Sequence, residues 1–405
     1  MPMHNPFWHG TPVPLKNFIS RGEKAQTIVS RISTGQSTIL SGSPRSGKTS
    51  LLHYLMTEEN QTTLYEDANK LIFSYLDVSL WNDEYNRVQF WAEALKPIEE
   101  YAQADDANPQ DETKLKIAKT FQTCQRENFG TFVLEKLFAQ LKQSEKQLVL
   151  IIDEFDLVLQ HPTLKSSIEF FGGMRSVASR SDRALVIIMT TNISSSQLTE
   201  KTQDFTRAGS PYFNFMDEVI LGPLSTDKID ELLSKDDQYF TPEDRAFIKE
   251  IAGGHPYLLQ VLASSLWTLY ETQPETDFVN RRQQAEKDFY LKVNGTLDRI
   301  WRTWQEPSQQ AFMSVALVQM EKLKRAFKRQ GIDTDSISKH IPRLESELQF
   351  LKKYGFLTEN KSVAGGWQVY PKIFLPFIID KKLKLEYRKK LPPEIWKDLL
   401  TRQFG

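Results

Sequence analysis

One cysteine, Cys124, stands among 405 residues, which excludes an internal disulfide and suits a reducing, cytoplasmic setting. The six histidines are scattered and, with that single thiol, leave no spacing for a zinc site. Cys124 itself reads as a small packed side chain with no nucleophilic role. No apolar run reaches the roughly 20 residues that cross a bilayer, and the first residues lack the basic-then-apolar order of a secretory leader. A membrane partner is therefore not expected. Self-similarity at solenoid or propeller periods is also missing. Charge is nearly balanced, 51 basic against 52 acidic side chains for a net charge of −1, but its distribution is uneven. From Arg281 onward 25 basic residues face 14 acidic ones, so that portion offers a surface to nucleic acid or to an acidic partner, or is simply solvated or docked on the acidic remainder.

What is present begins with 40% hydrophobic content, enough over this length for two or three cores. Within it, residues 37–50 read Ser-Thr-Ile-Leu-Ser-Gly-Ser-Pro-Arg-Ser-Gly-Lys-Thr-Ser. Gly42, Gly47, Lys48 and Thr49 fit G-x-x-x-x-G-K-[ST], with a strand pattern before and a helix pattern after. Glycines at those two places let successive N–H groups face one anion, and the helix beginning at Lys48 adds the positive end of its dipole. The loop Gly42, Ser43, Pro44, Arg45, Ser46, Gly47, Lys48, Thr49 and Ser50 is therefore expected to cradle the phosphates of ATP or ADP. Lys48 would reach the β- and γ-phosphates, and the Thr49 hydroxyl would ligate Mg²⁺.

A second signal is Gln147-Leu-Val-Leu-Ile-Ile-Asp153-Glu154-Phe-Asp156. Five consecutive apolar residues suit a strand buried on both faces, and such strands end at the ligand side of a parallel sheet. Asp153 would then hold Mg²⁺ and Glu154 would orient or deprotonate the attacking water, the Walker B pattern. Asp156 either extends that network or serves a helix N-terminus. The strand Ala184–Asn192 places Asn192 at its tip, where it could contact the γ-phosphate or cap the next turn. With Leu71–Val78 and Glu218–Leu221 this gives an α/β fold around a five-stranded parallel sheet. Gln89–Tyr101 reads as one amphipathic helix, and the acidic, proline-broken stretch 103–113 as a mobile surface loop.

Beyond Leu221 the pattern turns helical, with Gly254-His255-Pro256 leading into an apolar helix whose first residue is proline. Ser336–Tyr354 carries Ile337, Ile341, Leu344, Leu348 and Leu351 at helical spacing, and the strand-like Trp367–Tyr370 follows a Gly-Gly turn.

The order of these parts resembles the archaeal-ATPase/STAND branch of AAA+-related P-loop NTPases over about residues 18–375. The resemblance implies that Phe18-Ile-Ser-Arg-Gly-Glu covers the adenine, that Asn192 acts as sensor 1, and that Pro256 packs on the base. It implies further that Arg207 completes a neighbouring subunit's site as a finger, and that the C-terminal helices and hairpin form a winged-helix domain. The expected domains are an N-terminal arm 1–17, an ATPase core 18–222, a helical lid 223–295, a winged helix 296–380 and a basic extension 381–405. By the same resemblance the chain is an ATP-driven switch forming nucleotide-dependent homo-oligomers, its sensor or effector lying on other chains. The alternative is a DNA-handling ATPase, with Lys339, His340 and Arg343 in a groove and Lys352, Lys353 and Lys361 near the wing.

Overall fold

Runs rich in β-branched and aliphatic residues form the strands of one parallel sheet: β1 (Ser37–Ser41), β2 (Leu71–Asp77), β3 (Gln147–Asp153), β4 (Leu185–Thr191) and β5 (Met216–Ile220). The computed structural model describes residues 5–11, 13–103, 112–207, 211–236, 238–320, 323–329 and 333–382. The sheet order is β2-β3-β4-β1-β5, so the chain leaves β1 in the interior, crosses to the far edge, and returns strand by strand. The central strands β1 and β4 are buried along their whole length, as expected where helices cover both faces. Register aligns the strand tips: Asp77 pairs with Asp153, Ile152 with Met189, and Ser41 with both Thr191 and Ile220. Every acidic or hydroxyl side chain at those tips therefore shares one edge of the sheet.

The core around the sheet is aromatic: Phe90, Trp91, Phe121, Phe138, Phe155, Phe170 and Phe171 are essentially fully buried, and Phe90 meets Trp91 and Phe170, and Phe170 meets Phe171, edge to face. Cys124 lies in the same core, and burial raises its thiol to about 12, consistent with a packing role. The expected helix over Gln89–Tyr101 is two helices, Arg87–Ala94 and Lys96–Gln103. Pro97 near the start of the second removes the amide that continuity would require. Most of the expected acidic loop, 104–111, lies outside the described residues.

The chain divides into two bodies. One comprises Ser20–Gly42 and Lys48–Leu221, and the other comprises residues 1–19, Ser43–Gly47 and Gly222–Gly405. In the second body helices Thr226–Leu233, Pro242–Ala252, Pro256–Thr272 and the long Phe278–Thr303 pack around Leu258, Leu262, Leu266, Phe289 and Leu297. Helices Glu306–Gln319, Lys324–Arg329 and Thr334–His340 follow, and then Glu345–Lys353 and the antiparallel hairpin β6 (Leu357–Glu359) with β7 (Trp367–Val369). The single helix expected over Ser336–Tyr354 is broken at Ile341–Leu344, where Pro342 lacks the N–H that an unbroken helix needs. The expected extended arm is anchored: Phe7 stacks on Phe240, and Asn5 Nδ2 donates to Ser264 O at 3.2 Å. Beyond Lys382, the proposed basic extension lies outside the described residues.

Candidate functional site

The tips of β1, β3 and β4 bring five of the sequence-selected side chains into one network. Lys48, the first residue of helix Lys48–Met56, is 6% exposed. Its Nζ donates to Gly42 O at 2.9 Å and to Asn192 Oδ1 at 2.8 Å. Burial pulls its ammonium down to about 8, against the opposing field of Asp156, Asp153 and Glu154. Thr49 Oγ1 donates to Asp153 Oδ2 at 2.7 Å. Asp153 is 2% exposed and also accepts from Tyr75 Oη at 2.9 Å and from the Thr190 hydroxyl. All three side-chain donors are neutral.

Glu154 follows directly, with a left-handed backbone (φ 54°) that side chains other than glycine or asparagine rarely adopt. Its N–H donates to Thr190 Oγ1 at 2.8 Å, and the Thr190 hydroxyl donates on to Asp153, so the strained turn is held by the neighbouring strand. Burial raises the Glu154 carboxyl above its ordinary range, and the charges of Asp153, Asp156 and Asp77 push the same way. Asn192 joins the two halves: Oδ1 accepts from Lys48, while its N–H and Nδ2 donate to Asp156 at 3.1 and 3.2 Å. The next helix is capped by Ser194, in a capping box with Gln197, so capping is not the work of Asn192. Asp156 belongs to this network while also lying in the first turn of the 3-10 helix Phe155–Gln160, so both of its anticipated roles coexist.

The loop residues Ser43–Gly47 group with the second body. Arg45 (φ 61°) and Gly47 (φ 95°) have left-handed backbones, and Ser46 N–H closes back on Ser43 O at 3.1 Å. Gly47 has open space around its missing Cβ, so backbone conformation is what calls for glycine there. Pro256 opens helix Pro256–Thr272, with His255 as N-cap and His255 Nε2 3.2 Å from Pro44 O. Ser50 is buried. Arg207 is not drawn into either group; it ends helix Ser195–Thr206 in a left-handed, exposed C-cap, followed by residues outside the described set.

Sequence reasoning missed Thr190 and Tyr75. The available signal was register: once Asp153 ends β3, the penultimate position of β4 must stand beside it. Chemically, the arrangement offers a buried ammonium, a hydroxyl beside a carboxylate without a hydrogen-bonding cation, and a second carboxylate aimed by a strained turn.

Comparison with known proteins follows the same direction. None of the curated proteins matches the sequence. Among solved structures, the Walker-type ATPase of Pyrococcus abyssi is 17% identical with a TM-score of 0.52, covering 92% of this chain and 99% of its own. The Aeropyrum pernix ORC2 protein, solved as ADPNP-ADP complexes, is 11% identical with a TM-score of 0.47, covering 97% of this chain and 94% of its own. The first of these likenesses establishes the fold, a P-loop ATPase sheet. The AAA-like domain profile matches residues 110–347, more than half of the chain and wholly downstream of the phosphate loop. Loop motif, sheet and profile are thus separate observations, and together they show that the chain belongs to the AAA-like domain family of P-loop ATPases.

Proposed function

We propose that this chain binds and hydrolyses ATP with Mg²⁺ and uses the nucleotide state as a switch for assembly or for a partner on another chain. The observation that carries this is the Thr49–Asp153–Thr190–Glu154 relay, which sets a hydroxyl, a metal-competent carboxylate and a candidate base around one strand tip. Among the described residues no cluster of three or more His, Cys, Asp or Glu could hold a metal by itself. That fits Mg²⁺, which is usually held by one or two protein oxygens together with substrate phosphates and water. Thr49 and Asp153 would hold the ion, which would neutralise charge developing on the phosphates.

Lys48 and the loop amides bind the β- and γ-phosphates. Asn192, positioned by Asp156, contacts the γ-phosphate or lytic water while steering Lys48. Glu154 orients the water and accepts its proton. Pro256, and the Phe18 to Glu23 segment, contact the base, and Arg207 acts from a neighbouring subunit. Loss of the γ-phosphate removes contacts that favour one conformation, and this drives the switch.

The arm, lid and winged-helix boundaries belong to the same proposal. Of the groove residues named for the DNA-reading alternative, Lys339 and His340 end helix Thr334–His340 and Arg343 lies in the turn Ile341–Leu344, so helix Glu345–Lys353 carries none of these three. A recognition helix presents its N-terminal end to bases, and here that end carries Glu345 and Glu347, while Lys352 is paired with Glu359 at 2.6 Å. We assign the helices and hairpin a regulatory role.

The test is nucleotide binding and turnover together with mass photometry. Lys48→Ala should weaken ATP binding by about 100-fold or more. Glu154→Gln should keep ATP and lose about 100-fold or more in turnover, and should accumulate the ATP-dependent oligomer. Hydrolysis by Glu154→Gln at the wild-type rate would remove Glu154 from the mechanism.

A further inference from the structure

A histidine and two cations meet the lid helix Pro256–Thr272, and none of the three has a carboxylate partner among the described residues. His9 Nε2 lies 3.3 Å from Ser264 Oγ, and Lys292 Nζ donates to Ser265 Oγ at 2.9 Å, so an imidazole and an ammonium are tethered to adjacent residues of one helix. Arg45, near the tip of the phosphate loop, lays its guanidinium over the Tyr257 ring, 4.5 Å from the centroid, about two turns earlier on the same helix. Burial, and then the fields of Lys292 and Arg45, hold His9 below its ordinary range, so near neutral pH it is an imidazole that can take up a proton when an anion binds. Among the described residues none of the three enters an ion pair.

The segment that brings His9 there is pinned. Asn5 Nδ2 donates to Ser264 Oγ at 3.0 Å, Trp8 N–H donates to Gln260 Oε1 at 2.9 Å, and Phe7 is buried against Phe240. An ammonium and a guanidinium held on one helix face by neutral contacts, with an imidazole beside them, favour an outside anion.

We infer that His9, Arg45 and Lys292, with the hydroxyls of Ser264 and Ser265, form an anion site that takes a phosphate group, additional to the backbone cradle of the loop. A phosphate carries up to two negative charges on a tetrahedral array of acceptors, which a guanidinium, an ammonium and two hydroxyls can satisfy from different sides. A lone carboxylate would leave most of the positive charge unanswered. Trp8, 39% exposed beside His9, adds a ring on which a base can stack. The phosphate can belong to a nucleic-acid strand or to free polyphosphate.

The test uses the full chain with saturating ADP, so that added phosphate does not compete for the loop. A fluorescently labelled oligonucleotide, single-stranded and duplex, is titrated by anisotropy at low and at physiological salt, and inorganic triphosphate by calorimetry. Wild type should bind at least one probe. Lys292→Glu, at an exposed position, should bind it about tenfold or more weakly and with a salt slope smaller by about one, and Lys292→Ala should fall between. ADP affinity should be the same in all three. Binding of the strand alone assigns the site to nucleic acid, and binding of triphosphate alone assigns it to the free anion. Failure of wild type to bind either probe, or equal binding by Lys292→Glu, overturns the site whatever the turnover assays show.

Discussion

Two buried aspartates, one in each body, look alike by exposure and differ in what surrounds them. Asp153, 2% exposed, accepts from the hydroxyls of Thr49, Tyr75 and Thr190, and no cation among the described residues hydrogen-bonds to it. Asp244, 1% exposed, accepts from Arg282 Nε at 2.7 Å, from Tyr270 Oη at 2.6 Å and from Thr241 in a capping box. A buried carboxylate costs several kcal/mol unless its charge is answered. The charge of Asp244 is answered by a hydrogen-bonded arginine, so its role is to hold three helices together. Asp153 is solvated but not neutralised, which leaves its charge available to an incoming cation. Charge compensation, more than burial, separates the structural aspartate from the one proposed to hold Mg²⁺.

The sharpest way to break this contrast is to neutralise both. Asp153→Asn should abolish Mg²⁺-dependent turnover, by at least about a thousandfold, while changing stability by no more than about 1 kcal/mol in a chemical-denaturation curve. Asp244→Asn should do the reverse, costing about 3 kcal/mol because Arg282 keeps an unpaired buried charge, with turnover per folded molecule unchanged. A large stability loss at Asp153 would show that its charge is needed structurally and would erase the distinction.

A smaller effect comes from the relay. Thr190→Val keeps shape but removes the hydroxyl linking Glu154 N–H to Asp153, and turnover should fall about tenfold with ATP affinity nearly intact.

The smallest effect belongs to a carboxylate of the second body whose charge is poorly answered. Burial raises Glu286 to about 7, with Glu250 pushing the same way and Lys372 opposing. Unfolded, the group releases its proton near 4.5, so between 4.5 and about 7 the folded chain binds more protons and loses stability as pH rises. Glu286→Gln should therefore be more stable than wild type at pH 8, by about 1–2 kcal/mol, and no more stable near pH 5. Melting curves across that range decide it.

The sheet and the phosphate loop were legible because their signals are contiguous: an apolar run ending in Asp153-Glu154, and glycines at fixed offsets before Lys48. Thr190 and Tyr75 were not, since their partners are set by register between strands far apart in the chain. Periodicity also runs straight through Pro342. The apolar spacing from Ile337 to Leu351 continues across it, because a missing N–H leaves no mark on hydrophobic pattern. The gathering of His9, Arg45 and Lys292 has no local signature at all; each is an ordinary surface side chain until the fold assembles them.

The left-handed backbone of Glu154 sets activity against robustness. A glutamate in that conformation carries strain of about 1–2 kcal/mol, and asparagine tolerates it more readily. In the proposed mechanism, replacing Glu154 by asparagine would thus silence turnover and firm up the turn in one step. In that mechanism a variant chosen for thermal tolerance alone would be inert, so stability and turnover pull in opposite directions at this bend.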